Sequence, residues 1–196
     1  MLALDTPDAT RSQRLKAATR DSHGALDARI MAGDIFASRD HFARFLRVQY
    51  RFHHDVDALY ASAALDALLP DLVERRRLAQ VTQDLQDLEQ VLPGPLPAPL
   101  PAELPLAAAL GWLYVAEGSN LGGTVLYKMA GKLGLDAGFG ARHLAAHPDG
   151  AARHWRAFTA ALDSVPLTAE QEQQVIDAAD AAFRSVHGHV EQEFGR

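Results

Sequence analysis

No cysteine occurs among the 196 residues. Disulfides, thiolate metal ligation and cysteine nucleophiles are therefore excluded together. Positive charge is also short, with 19 Lys and Arg against 25 Asp and Glu and a formal net charge of −6. A surface built to hold nucleic acid needs the opposite balance, so no nucleic acid is expected as a partner. No apolar stretch reaches the roughly twenty uncharged residues that cross a bilayer, so no membrane is expected either. The opening MLALDTPDATRSQR lacks the order of an export signal, positive charge followed by an apolar run. The expectation is a cytoplasmic protein. The longest block of like charge, Arg75-Arg76-Arg77 beside Glu74, reads as a solvated helix face. Period-two alternation is missing, and so is any internal repeat.

What the chain does have is helical period. Leu15, Thr19, Ser22, Leu26 and Ile30 lie on one stripe, with Ser12 as a plausible N-cap. A second helix is expected from Ser38, burying Phe42, Phe45, Leu46, Phe52, Val56 and Leu59. A third is expected after Pro70, carrying Leu78, Val81, Leu85, Leu88 and Leu92. Six of the ten prolines then fall between Pro93 and Pro105, a run that cannot be helix and reads as a stiff spacer. From Leu106 to about Leu133 the chain is apolar almost all round, with only Glu117, Lys128 and Lys132 charged, so this helix belongs in the middle of the protein. A Gly-rich loop follows, then a helix displaying Trp155, Phe158, Thr159 and Leu162. Thr168 and Gln171 form a capping-box pattern for a last helix with Val175, Ala179, Phe183, Val186, Val190 and Phe194 in register. The fold class is all-α.

Three features stand out chemically. Glu117-Gly118-Ser119-Asn120-Leu121-Gly122-Gly123 puts three glycines inside the most apolar helix. Each costs about 1 kcal/mol relative to alanine there. Two readings offset that cost: tight packing or a helix break, or a flat ligand against bare main chain. His23 falls at the edge of the first stripe with Asp27 one turn on, where a carboxylate can orient an imidazole. A hydrogen-bonded core histidine and a solvated aspartate are the bland alternatives. Gln49 and His53 share one face of the second helix at i,i+4 spacing, amid apolar neighbours. They are either partly exposed margin residues or paired polar groups. His143 and His147 share that spacing without a third ligand, and His187-Gly188-His189 lacks a matching carboxylate. No Glu-x-x-His, phosphate-binding loop or Gly-x-Ser-x-Gly elbow occurs.

Leu15-Lys16-Ala17-Ala18-Thr19-Arg20-Asp21-Ser22-His23 resembles the segment of heme oxygenases that carries the proximal ligand. Gly118-Ser119-Asn120-Leu121-Gly122 resembles their kinked distal helix. The similarity continues through Phe45–Gln49, Val81–Leu85, Gly111–Tyr114 and Ala141–Leu144 to His147–Gly150, so it covers about residues 12 to 195 and is closest to the bacterial, iron-acquiring members. It implies a single helical domain over 1–196, with residues 1–11 as a flexible tail and heme between proximal and distal helices. It implies that His23 ligates the iron, aided by Asp27. Gly118, Gly122 and Ser119 would form the distal wall, and Gln49 and His53 would lie in the distal pocket. Lys16, Tyr114 and, more weakly, Lys128 would hold propionates. Ser119 stands where animal members carry an acid, which suggests that distal water is held elsewhere. The implied reaction converts heme and O2 to biliverdin, carbon monoxide and ferrous iron, with electrons from a separate reductase or ferredoxin and a monomer as the working unit. A non-enzymatic heme carrier or sensor on the same fold would keep His23 and lose the distal residues. A different enzyme on a similar helical fold, such as a thiamine-degrading one, is disfavoured by the lack of cysteine.

Overall fold

The computed structural model describes residues 9–195. The expected tail falls outside these for residues 1–8, and for residues 10 and 11 the expectation is wrong. Thr10 caps α1 (Arg11–Ala18) in a reciprocal box with Gln13. Arg11 is buried, pairing with Glu172 and donating to the carbonyls of Leu162 and Val165. Ser12 is not the cap. It stands inside the helix, where its N–H and hydroxyl both donate to Asp163, at 2.7 and 2.8 Å. Thr19 leaves helical geometry (φ −97°, ψ 8°) and separates α1 from α2 (Arg20–Ala32). The shared stripe survives the break: Leu15, Thr19 and Leu26 are buried, and Ser22 and Ile30 half-buried.

Ser38 caps α3 (Arg39–Val56), whose expected apolar face is buried throughout. A short α4 (Ala63–Asp66) follows. The third long helix does not begin at Pro70. A 3-10 turn over Val73–Arg75 intervenes, with the Arg75 Nε donating back to the Pro70 carbonyl at 2.8 Å, and α5 runs Leu78–Asp87. Leu92 lies beyond α5, in the extended proline-rich connection. The remaining helices are α6 (Leu106–Ala130), α7 (Ala151–Ser164) and α8 (Ala169–Phe194), the last opened by the Thr168–Gln171 box. Among the described residues there is no strand beyond isolated bridges at Asp136, and the fold is all-helical as expected. No described helix is long and apolar enough to cross a membrane.

The centre of the fold is α6 against α8, and Gly111 permits their approach. A Cβ at Gly111 would stand 2.7 Å from the Ala178 Cβ and 2.8 Å from the Ala179 backbone nitrogen, inside van der Waals contact with atoms that cannot rotate away. Helices α2 and α3 pack on other sides of α8, and α7 packs on α6. One apolar core joins α1, α3, α6, α7 and α8 through Leu15, Phe52, Leu110, Leu113, Phe158 and Val175. A smaller one, around Phe42, Phe45, Val81 and Leu144, sits beneath the loop before α7. Both α2 and α6 rest on α8 while barely touching each other.

Candidate functional site

Helix α6 changes character at Gly118. Residues 107 to 117 are mostly buried, whereas Ser119, Gly122, Val125 and Lys128 are exposed. The helix runs without interruption through its glycines, which have different roles. A Cβ at Gly123 would meet the Leu144 side chain at 3.3 Å, so this glycine serves packing against the 3-10 turn Arg142–Leu144. A Cβ at Gly118 would lie 3.7 Å from Trp155, in ordinary contact. A Cβ at Gly122 would meet nothing within 4 Å. No packing requirement explains Gly122, and its bare backbone faces open space. Ser119 turns its hydroxyl back onto the Ala116 carbonyl at 2.7 Å.

His23 stands on α2. Its side chain is 63% exposed, so it is not a core histidine. Its Nδ1 is 3.2 Å from Asp27 Oδ2, the geometry anticipated from the i,i+4 spacing. That contact leaves Nε2 as the free nitrogen. The ring stands edge-on to Phe183 of α8, 5.8 Å between centroids at 83°. On α7, Trp155 stands 5.6 Å from Tyr114 and 5.8 Å from Phe158 between ring centroids. Lys16 and Lys128 are exposed. Tyr114 is buried beside Trp155, and burial, reinforced by the charge of Asp163, raises its pKa. Asp163 also accepts from Ser12, one turn before Lys16 on α1. Lys128 stands ten residues beyond Gly118, about 15 Å along the helix.

Behind the glycines the structure corrects several expectations. His53 is no margin residue: it is 2% exposed, and its Nδ1 has no protein partner. Burial, aided by nearby His143 and Arg77, drops its pKa to about 3, so it is a neutral imidazole. Gln49, one turn away, is half-buried. His143, dismissed on sequence, is buried, its Nδ1 2.8 Å from Asp84 Oδ2. Burial favours protonation of Asp84, yet the His143 ring and the N–H groups of His143 and Arg142 together hold its pKa below the usual carboxylate range. The other ring nitrogen of His143, Nε2, has no partner, and neither does the buried Nε of Arg77. Three orphaned polar atoms from α3, the α5 approach and the 142–144 turn thus gather beside α6. The arginine run is not a solvated face. Only Arg76 is exposed, paired with Asp57. Arg75 is 1% exposed and bonds Glu117 at 2.9 Å, and Tyr60 donates to the same carboxylate at 2.8 Å. Burial raises the Glu117 pKa, with Arg75 and Tyr60 opposing it. This clasp fixes α6 at the residue before Gly118. His189 also has its carboxylate, Asp55, at 2.7 Å. Among the described residues no cluster of three His, Asp or Glu is arranged to hold a metal ion.

The heme oxygenase family model matches residues 9–192. The chain belongs to the heme oxygenase family. It is 42% identical over 184 residues to the heme oxygenase PigA of Pseudomonas aeruginosa, covering 94% of this chain and 93% of that protein. The crystal structure of the heme oxygenase of Neisseria meningitidis, determined with NO and CO bound, superposes with a TM-score of 0.89 at 42% identity, covering 95% of this chain and 92% of that one. The heme-bound heme oxygenase-1 of Synechocystis shares the fold, with a TM-score of 0.74 at 16% identity and coverage of 95% and 93%. As a heme oxygenase, this protein binds heme as substrate and prosthetic group and degrades it with O2 and a reductant. The sequence reading gave no role to Arg75, Arg77, Tyr60, Asp84 or His143, and none to Glu117 beyond opening the glycine motif. The one signal available was the lone acid Glu117 inside an apolar helix, which demands a buried partner.

Proposed function

We propose that heme lies in the gap between α2 and α6, with His23 Nε2 as the axial ligand and the Gly118–Gly122 backbone as the opposite wall. Two observations support this reading: an exposed imidazole on α2, held through Nδ1 by Asp27, and a surface of α6 that is open at Gly122, on two helices that both pack on α8. The donor set suits heme: neutral imidazole is its common axial ligand, and a carboxylate on the far nitrogen fixes the tautomer and raises basicity. Phe183 and Trp155 supply flat apolar contact for a macrocycle. Bound heme supplies the ring that is opened and the iron at which O2 is reduced.

The chain's own residues orient, hydrate and protonate. Lys16 and Tyr114 anchor propionates at one edge, with Lys128 a more distant candidate. Gln49 and His53 hold water on the distal side, and the orphaned atoms of His143 and Arg77 extend that network. A buried water makes about three hydrogen bonds, and these unpartnered donors and acceptors supply them. Asp84 fixes the His143 ring, leaving Nε2 free toward water. Ser119, whose hydroxyl is tied to its own helix, contributes backbone rather than a side chain. The protein works as a single domain and a monomer in the cytoplasm, taking electrons from a separate reductase or ferredoxin. The test is a four-variant cycle of wild type, Gln49→Ala, His53→Ala and the double variant. Ring-opening rate and the acid–alkaline transition of the ferric holoprotein are followed. A shared network gives a double-variant loss different from the sum of the singles and a moved transition. Strict additivity with an unmoved transition removes both residues from the role.

A further inference from the structure

A cleft opens between the approach to α5, the loop before α7 and the start of α7. Its volume is about 350 Å³, at the lower end of what small-molecule sites occupy. Its lining is cationic in a protein of net charge −6. Arg77, Arg142, His147 and His154 all line it. Arg142 is already committed to Asp84 and Asp87. Arg77 makes no ion pair among the described residues and donates Nη1 to the Gln80 amide oxygen at 2.7 Å, with Glu117 as an opposing charge farther off. The imidazoles of His147 and His154 stack at 4.2 Å between centroids and 22° between planes. Asp149 donates its N–H to His147 Nδ1 at 3.2 Å, so His147 carries its proton on Nε2 and is a donor. The lone carboxylate of the lining, Glu74, is exposed.

We propose that this cleft binds a small molecule through a phosphate-type oxyanion, held by Arg77, His147 and His154. The field around His154 supports this independently of shape. Burial, then Arg75, His147 and Arg77, depress its pKa to about 4, against only a weak opposing effect of Asp71. Burial accounts for the largest part of that shift; the part due to Arg75, His147 and Arg77 marks a positive potential, which a bound dianion offsets. Gly150, the N-cap of α7, offers no capping side chain, and Ala151 of the first turn lines the adjoining crevice with His147 and His154. The helix dipole adds to the same field. The bound anion takes a proton onto His154, so affinity rises as pH falls. This proposal stands apart from the heme-site assignments, except that Arg77 reaches both.

Sulfate is the probe, because its charge is constant through the working pH range and any pH dependence then reports the protein. Heme-loaded protein is titrated with sulfate, with acetate and with chloride at matched ionic strength, by calorimetry and by NMR of the histidine ring protons. The expected result is saturable sulfate binding with proton uptake and a raised His154 pKa. His154→Gln and His147→Ala should each weaken binding about tenfold, the scale of one charge-assisted hydrogen bond. Glu74→Gln should tighten it. Unaltered binding in both histidine variants, an equal response to chloride, or no saturation overturns the proposal. Tighter binding of acetate than of sulfate overturns the phosphate-type assignment. Circular dichroism checks that each variant is folded.

Discussion

Replacing two glycines of one helix separates the ligand-facing role from the packing role. Gly122→Ala adds a Cβ that meets no atom within 4 Å and removes the flexibility of a helical glycine. The heme-free protein should gain about 1 kcal/mol, which at this chain length raises the thermal midpoint by about 2–4 °C. Gly111→Ala makes the same chemical change where Ala178 Cβ and Ala179 N would stand at 2.7 and 2.8 Å. Helix α8 must then move, at an overpacking cost of about 1–3 kcal/mol. Set against the same propensity gain, the net is a loss of about 0–2 kcal/mol, so the Gly111→Ala midpoint should fall below that of Gly122→Ala. Heme binding should invert the order. Gly122→Ala, and more strongly Gly122→Leu, should weaken hemin binding and slow ring opening, whereas any Gly111→Ala molecules that remain folded should bind hemin normally. The assays are thermal unfolding without heme and hemin titration by absorbance. A fall in stability for Gly122→Ala, or unchanged hemin binding in Gly122→Leu, refutes the assignment of Gly122 to the heme face.

The Arg75–Glu117 clasp predicts strong coupling. Glu117→Gln leaves a buried guanidinium without a counter-charge and should cost about 3–5 kcal/mol, whereas Arg75→Met with Glu117→Leu should cost far less than the summed singles; additive midpoints would remove the clasp. His53 predicts acid lability. Its folded pKa of about 3 lies below the ordinary histidine value of 6.5, so the unfolded chain binds the extra proton. Stability is intact above about pH 6.5 and falls by up to about 1.4 kcal/mol per pH unit as pH drops from there toward 3. Urea midpoints across that range should show the slope in wild type and a shallower one in His53→Gln; equal slopes would mean that His53 is not buried neutral.

What the sequence disclosed was local. Ser38 and the Thr168–Gln171 box were legible because a cap and its partner lie within four residues. The apolar stripes of α3 and α8 were legible because burial follows period. Misread features depended on distant partners. Ser12 resembled a cap, but its hydroxyl serves Asp163, 151 residues away. Arg75 resembled a surface charge until Glu117, 42 residues on, supplied its counter-charge. His143 lacked a carboxylate nearby in sequence and has Asp84 instead, 59 residues earlier. The glycines of α6 were ambiguous because packing and exposure are tertiary properties: Gly111 and Gly123 meet neighbours, and Gly122 does not. His23 was the reverse case, since its orienting partner Asp27 is one helical turn away and could be read directly.

The central claim is that His23 Nε2 ligates the iron. The most direct test is the iron–histidine stretch in the resonance Raman spectrum of the ferrous, heme-loaded protein, compared between wild type and His23→Ala. A stretch present in wild type and absent from His23→Ala, with ring opening lost, is the result this account predicts. An unchanged stretch in His23→Ala would place the ligand on another residue and contradict it.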